Sequence, residues 1–255
     1  MVELVILGAS NAVSTPESEN THLAICAGEQ ITLVDCGSNP LARLERAGLD
    51  FDAVSDLILT HFHPDHVGGL PLFLMDMWLM GRKAPLVIHG LSYTLDRAEQ
   101  MMALFGWEEW PNFFPVEFHR VSEQEMSLLL ERPELRIFSS PVEHLLPNIG
   151  LRFEFKREKK SAAYSCDTEP CPAVIRLAQG VDALLHESSG PFRGHTTAAQ
   201  AGEVAAEAGA KALYLVHHPT GRFLQTDLVQ EARQTFFGPV TLAEDMMRIQ
   251  FSTAE

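Results

Sequence analysis

The stretch Leu59-Thr60-His61-Phe62-His63-Pro64-Asp65-His66-Val67-Gly68-Gly69-Leu70-Pro71 packs three histidines and an aspartate into six residues. It follows directly on an apolar run, Asp56 to Leu59, that reads as the tail of a buried strand. A strand end holds its backbone rigidly, and the loop after it can turn several side chains toward one point. Neutral imidazole and carboxylate suit Zn²⁺, and Mn²⁺ or Fe²⁺ less exclusively. The pattern therefore predicts a metal site at a strand terminus.

Strands and helices alternate on either side of this motif. Upstream, Val2 to Leu7 reads as a strand, Gly8 to Asn20 as a long polar loop, and His22 to Cys26 with Ile31 to Val34 as a hairpin. Pro40 to Ala47 reads as a helix stopped by Gly48. Downstream, Pro71 to Met80 is a helix apolar nearly all round, which predicts cover on most sides by core or by a partner subunit. Pro85 to His89 is a strand and Leu95 to Phe105 an amphipathic helix. Leu135 to Ser139 is a strand, and Leu151 to Phe155 with Ala162 to Ser165 form a hairpin around Lys156-Arg157-Glu158-Lys159-Lys160. Cys171 to Gln179 is a helix, Ala183 to His186 a strand, and Thr197 to Ala208 an Ala-rich helix with Thr196 as its expected N-cap. Ala212 to Val216 is a strand and Asp227 to Phe236 the last helix. Interleaving of this kind implies sheets covered by helices.

Three more metal-capable side chains lie at the ends of apolar runs. His144 follows the strand Leu135 to Ser139, Asp167 follows Ala162 to Ser165, and His217 follows Ala212 to Val216. A single such residue carries little weight; three in order behind the primary motif point to one shared site. His22, His89, His119, His186 and His218 receive structural roles.

Composition bounds the function. The 255 residues are 46% hydrophobic and 21% charged, ordinary for a globular chain, and we expect one domain over residues 1–255. The N-terminal stretch Met1 to Gly8 lacks the basic and long apolar regions of a signal peptide, and the most apolar segment, Gly68 to Met80, is too short to span a bilayer. We expect a cytoplasmic protein without membrane contact. The four cysteines fit small buried side chains in a reducing compartment, with Cys36 and Cys166 beside carboxylates of the site. A net charge of −15 repels polyanions at long range and counts against a large nucleic-acid footprint.

The chain resembles the metallo-β-lactamase superfamily, and within it the ribonuclease Z branch. The resemblance rests on Leu7-Gly8-Ala9 with Thr15-Pro16, on Asp35-Cys36-Gly37, on the run Leu59 to Pro71, and on Gly81-Arg82-Lys83. It continues through His186-Glu187-Ser188-Ser189, Gly194-His195-Thr196-Thr197-Ala198-Ala199-Gln200 and Leu215-Val216-His217, the three segments that favour the ribonuclease Z branch. It implies a four-layer αββα sandwich of two pseudo-equivalent halves, with two divalent metals, zinc first among them, at one edge between the sheets. It implies that His61, His63 and His144 bind one metal, that Asp65, His66 and His217 bind the second, and that Asp167 bridges both. Asp35 would orient the primary motif from a neighbouring strand end. Two metals roughly 3.5–4 Å apart hold a bridging hydroxide near neutral pH that attacks phosphorus. Asp65 would also accept a proton from that nucleophile, His195 would be the general acid and phosphate contact, and Glu187 would orient His195. The family also implies a homodimer.

In one respect the chain departs from tRNA-processing ribonuclease Z. That branch carries a long Gly/Pro-rich arm for tRNA between its third and fourth metal motifs. Here the stretch from His144 to Asp167 is filled by a hairpin and leaves no room for it. The expected activity is therefore a phosphodiesterase acting on a small or accessible diester, such as a cyclic nucleotide or short RNA. The alternatives are tRNA 3′-end endonuclease activity, hydrolysis of a carboxyl ester, thioester or lactone, and metal binding without catalysis.

Overall fold

The computed structural model describes residues 2–252. Met1, which the sequence reading joins to the opening apolar run, lies outside the described residues. Two seven-stranded sheets face each other. The first contains β1 (Val2–Gly8), β2 (His22–Ala27), β3 (Gln30–Val34), β4 (Val54–Ile58), β5 (Leu86–Gly90), β6 (Val116–Arg120) and β14 (Met247–Phe251), in the order β14-β1-β2-β3-β4-β5-β6. The second contains β7 (Ser127–Glu131), β8 (Leu135–Val142), β9 (Asn148–Phe155), β10 (Lys160–Tyr164), β11 (Ala183–Glu187), β12 (Leu213–Val216) and β13 (Val240–Leu242), in the order β13-β12-β11-β10-β9-β8-β7.

Each sheet begins antiparallel and ends parallel. The β2–β3 pair is antiparallel, and β3 through β6 are parallel. Likewise β8, β9 and β10 pair antiparallel, and β10 through β13 run parallel. Parallel neighbours need crossovers, and the helices supply them. α1 (Pro40–Arg46), α3 (Leu70–Leu79) and α4 (Ser92–Leu104) contribute Leu44, Phe73, Leu74, Met77, Leu95 and Met102 to a core over the first sheet. α5 (Pro172–Leu177), α6 (Ala198–Ala208) and α7 (Leu228–Ala232) contribute Val174, Ala201, Val204, Ala205 and Ala232 to a core over the second.

Strand alternation builds the layer between the sheets. On β1, Leu4 and Ile6 face the second sheet, while Val5 and Leu7 face the helices. Ile137, Leu151, Phe153 and Tyr164 meet them from the other side. The result is the expected αββα sandwich.

Several boundaries differ from the sequence reading. The strands β6, β7, β13 and β14 go unplaced by it, and the N-cap of α6 is Thr197, not Thr196. The Thr197 hydroxyl accepts from the Gln200 amide and the Gln200 side chain accepts from the Thr197 amide, a reciprocal box that Thr196 is one residue too early to make. The hydroxyl of Thr196 instead donates to the Thr168 carbonyl. Helix α3 is covered on one face only. Leu70, Phe73, Leu74 and Met77 are buried, but Leu79 is 66% exposed and Leu72 and Met80 are also open. Leu72, Met75 and Trp78 of this helix, with Phe105 and Trp110, line an apolar groove of about 500 Å³.

Candidate metal centre and acid–base pair

The loop after β4 turns into α2 (Pro64–Val67), a single turn begun by Pro64. This short turn aims His61, His63, Asp65 and His66 to one side. It can lie against the end of β3 because residue 37 is glycine: a Cβ there would stand 1.8 Å from the Asp65 carbonyl. Gly69 is required in the same way, since its Cβ would come within 2.1 Å of the Ser38 carbonyl.

All seven expected ligands converge. One group of four is His61, His63, His144 and Asp167; the other group of four is Asp65, His66, Asp167 and His217; two smaller groups, His61-His66-Cys166 and Glu187-His195-His217, share members with them. Asp167 belongs to both groups of four. Within the first group His63 Nδ1 lies 2.9 Å from His61 Nε2 and 3.1 Å from His144 Nε2. Within the second, His217 Nε2 is 3.3 Å from Asp65 Oδ2 and 3.4 Å from Asp167 Oδ2, and His66 Nε2 is 3.4 and 3.5 Å from the same atoms.

The outward nitrogen of most of these imidazoles is tied down, which selects the tautomer whose inward nitrogen carries a lone pair. His66 Nδ1 donates to Asp35 at 2.7 Å, and Asp35 also accepts from the Thr60 amide and hydroxyl at 2.9 Å. His144 Nδ1 donates to the Gly194 carbonyl at 2.7 Å. His217 Nδ1 donates to Ser189 Oγ at 2.8 Å, and that hydroxyl donates to the His217 carbonyl. Asp35 is anticipated by the sequence. Gly194 and Ser189 are not: a backbone carbonyl leaves no residue-type signal, and Ser189 is one of two adjacent serines.

The backbone is strained at three points of this site. Asp35, Cys166 and His217 have φ of 65°, 52° and 47°, left-handed values at non-glycine residues that each cost on the order of 1–3 kcal/mol. All three sit just beyond strand ends, where they swing a side chain, or in the case of Cys166 the following Asp167, into the cluster. Cys166 is buried, and its thiol donates to the Thr60 hydroxyl at 3.0 Å.

The electrostatics suit a bound cation. Burial, together with repulsion from neighbouring imidazoles, holds His61, His63 and His144 below the usual histidine range and so in the neutral, ligating form. Burial pushes the carboxyls of Asp65 and Asp167 upward, but His217 and His66 overcome it and keep both ionised. Burial disfavours charge on His66 too, yet Asp167 and Asp35 raise its proton affinity well above normal. That position calls for positive charge, which a metal supplies as well as a proton does. His66 Nε2 and Asp167 Oδ1 are buried without any hydrogen-bond partner, a costly state for the protein alone. The residues present therefore fit divalent metals.

Beside the cluster stands a second pair. Glu187, fully buried at the end of β11, accepts from the amides of Thr168 and Ser189 and from His195 Nδ1 at 2.9 Å. The His195 ring lies 5.0 Å from that of His144 and stacks 5.9 Å from that of His217. Burial lowers the proton affinity of His195, but its bond to Glu187 and the nearby carboxylates raise it above normal overall. His195 opens onto a cleft of about 770 Å³ lined also by Glu169, Phe192 and Arg193.

Comparison with known proteins gives the family. The family model described as "Anti-Pycsar protein Apyc1" matches residues 2–237. The chain is 29% identical to ribonuclease Z of Methanothermobacter thermautotrophicus, over 98% of this chain and 97% of that protein. The alignment runs to 305 positions against a chain of 255 residues, so the relative carries segments absent here. Among solved structures the fold matches human tRNase Z, short form, at a TM-score of 0.79 with 21% identity, over 98% of this chain and 99% of that one. It matches the metallo-β-lactamase fold protein YhfI of Bacillus subtilis equally well, at 0.79 with 20% identity over 97% and 98%. This chain belongs to the Anti-Pycsar protein Apyc1 family, on the ribonuclease Z-like branch of the metallo-β-lactamase superfamily, and is a metal-dependent hydrolase.

Proposed function

We propose that the protein is a phosphodiesterase for a small or accessible phosphodiester, a cyclic nucleotide or short RNA. The observation that carries this reading is His195, held by Glu187 beside the metal cluster with its Nδ1 occupied and its Nε2 left for substrate. A phosphodiester leaves poorly unless its departing oxygen is protonated, and a carboxylate-backed imidazole is suited to that task.

His61, His63 and His144 would hold one metal and Asp65, His66 and His217 the other, with Asp167 shared between them. Bound there, divalent ions, zinc in this reading, would supply acidification of water and stabilisation of negative charge on phosphorus. Asp65 takes the proton of the attacking water. His195 gives a proton to the leaving oxygen, and Glu187 keeps its ring in place. Arg193 lines the cleft onto which His195 opens and also a neighbouring cleft lined by His144, so it is positioned to meet phosphate oxygens.

Substrate size follows from the second sheet. The β9–β10 connection is a turn of four residues; Lys156 and Lys160 at its two ends are engaged with Glu131 at 2.7 Å and Asp182 at 3.1 Å, while Arg157 and Lys159 at its tip are exposed. A turn this short reaches too small a surface to grip a folded RNA. The ribonuclease Z relatives, aligned along the chain, favour pre-tRNA cleavage as the second reading. Rates on a 2′,3′-cyclic nucleotide, an aryl phosphodiester, a pre-tRNA and a lactone, compared on one zinc- or manganese-loaded preparation, decide between them. Faster cleavage of pre-tRNA or of the lactone than of either small diester would reject the proposal.

A second copy of the chain covers the apolar outer face of α3, making a homodimer in the cytoplasm. A monomeric mass in light scattering would contradict the dimer. Among the described residues, no helix is long and apolar enough to cross a membrane.

A further inference from the structure

Outside the converging ligands, at the β6 edge of the first sheet, stands a second, smaller arrangement: two imidazoles facing each other, one of them backed by a carboxylate. His89 on β5 and His119 on β6 are paired in register on adjacent parallel strands. Their Nδ1 atoms face each other at 3.0 Å, with the rings 5.1 Å apart and steeply inclined. Behind His89 lies Asp56 on β4, whose Oδ1 accepts from His89 Nε2 at 2.8 Å. Asp56 is buried and is also paired with Arg132, from the turn between β7 and β8 in the other sheet.

A carboxylate only accepts hydrogen bonds, so His89 must carry its proton on Nε2 and present a lone pair at Nδ1. This is the carboxylate–imidazole arrangement that tunes histidine for a metal, and Asp35 does the same for His66. The separation of the facing nitrogens matches the 2.9 and 3.1 Å between the ring nitrogens of His61, His63 and His144. His89 is buried and His119 exposed, so an ion held between them would reach solvent through its open positions. Glu117 precedes His119 by two residues on the same face of β6, and its charge is felt at His89. Burial pushes the His89 pKa down to about 4, so the ring is neutral at physiological pH.

We propose that His89 and His119, backed by Asp56 and flanked by Glu117, form an additional exchangeable site for a borderline divalent transition metal such as Zn²⁺, Ni²⁺ or Cu²⁺. No residue of this group belongs to the catalytic cluster, so the site stands whether or not the proposed substrate is right. The ion would tie the edge strand β6 to β5 and, through Asp56 and Arg132, to the second sheet.

The test uses zinc-loaded protein, dialysed against excess Zn²⁺, with zinc per chain measured by mass spectrometry. His119→Ala and His119→Gln remove the exposed ligand and spare the buried network, so fold and basal activity should persist. The wild type should hold about one more ion per chain than either variant and should gain thermal stability on zinc addition that both variants lack. Equal zinc content in all three would overturn the proposal, whether through a plain imidazole–imidazole hydrogen bond or through adventitious binding to surface carboxylates.

Discussion

The two sheets are built alike and feed the site differently. The first concentrates four of the seven converging side chains after β4, His61 and His63 in the loop and Asp65 and His66 on the single helical turn that follows. The second delivers them one at a time: His144 after β8, Asp167 after β10, His217 after β12. The first half therefore needs one well-placed turn, with Gly37 and Gly69 allowing its close approach. The second needs three strand ends in register, two of which, at Cys166 and His217, carry left-handed backbone. A compact motif fixes local geometry, while scattered ligands depend on the tertiary fold.

The sharpest break of that comparison is at Asp167, where the halves meet. Asp167→Ala should abolish turnover and lower metal content further than His63→Ala or His144→Ala, because only Asp167 lies in both groups. Metal analysis alongside turnover checks this. Full metal content with unchanged activity would show that the convergence is not a metal site.

Next in size is His195, which sits with the second half but outside the converging ligands. His195→Ala should cost about 10²–10⁴-fold in turnover, the usual range for general acid catalysis, with metals retained. The loss should be large for an alkyl or nucleoside leaving group and small for p-nitrophenolate, which needs little protonation. Equal losses on both would reduce His195 to a phosphate contact, and loss of metal would move it among the ligands.

How much of this was legible in the sequence follows the same division. The loop cluster announces itself, since spacing alone gathers His61 to His66. His144, Asp167 and His217 are legible only because each ends an apolar run. The strands that escape sequence reading are β6, β7, β13 and β14, the four edge strands of the two sheets. An edge strand is paired on one side and partly solvated, so its alternation carries polar residues, as in Val116-Glu117-Phe118-His119-Arg120. β13 is three residues long and offers no pattern at all. The inner strands are buried and give the apolar runs that sequence can see. The partners Ser189 and Gly194 stay hidden because contacts across the fold, not local pattern, give them their roles.

The orienting contacts give a smaller effect and set one half against the other. Asp35→Asn should lower metal affinity by about 10–100-fold, the range for an outer partner of a ligand. Its carboxylate is fully buried and holds both His66 and Thr60. Ser189→Ala, which removes a neutral bond to His217, should cost less, since charged hydrogen bonds are roughly twice as strong as neutral ones. Metal titrations of the two variants rank them. A larger loss in Ser189→Ala would mean that the scattered ligands, not the loop, limit affinity.

The smallest expected effect lies at the start of α6. Thr197 caps that helix two residues after His195, while α3, over the first sheet, begins at Gly69 without any side-chain cap. Thr197→Ala exposes the Gln200 amide and leaves the Gln200 side chain bonded only to the backbone, so it should cost about 1 kcal/mol of stability. Thr197 lines the His195 cleft but makes no hydrogen bond to Glu187 or to the converging ligands, and Glu187 is anchored through the amides of Thr168 and Ser189 instead. Metal content should therefore hold, and activity well below the melting transition should fall only slightly. Denaturant unfolding of the holoprotein measures the first quantity and turnover the second. A drop in turnover comparable to that of His195→Ala would show that the helix cap, rather than Glu187, holds His195 in place.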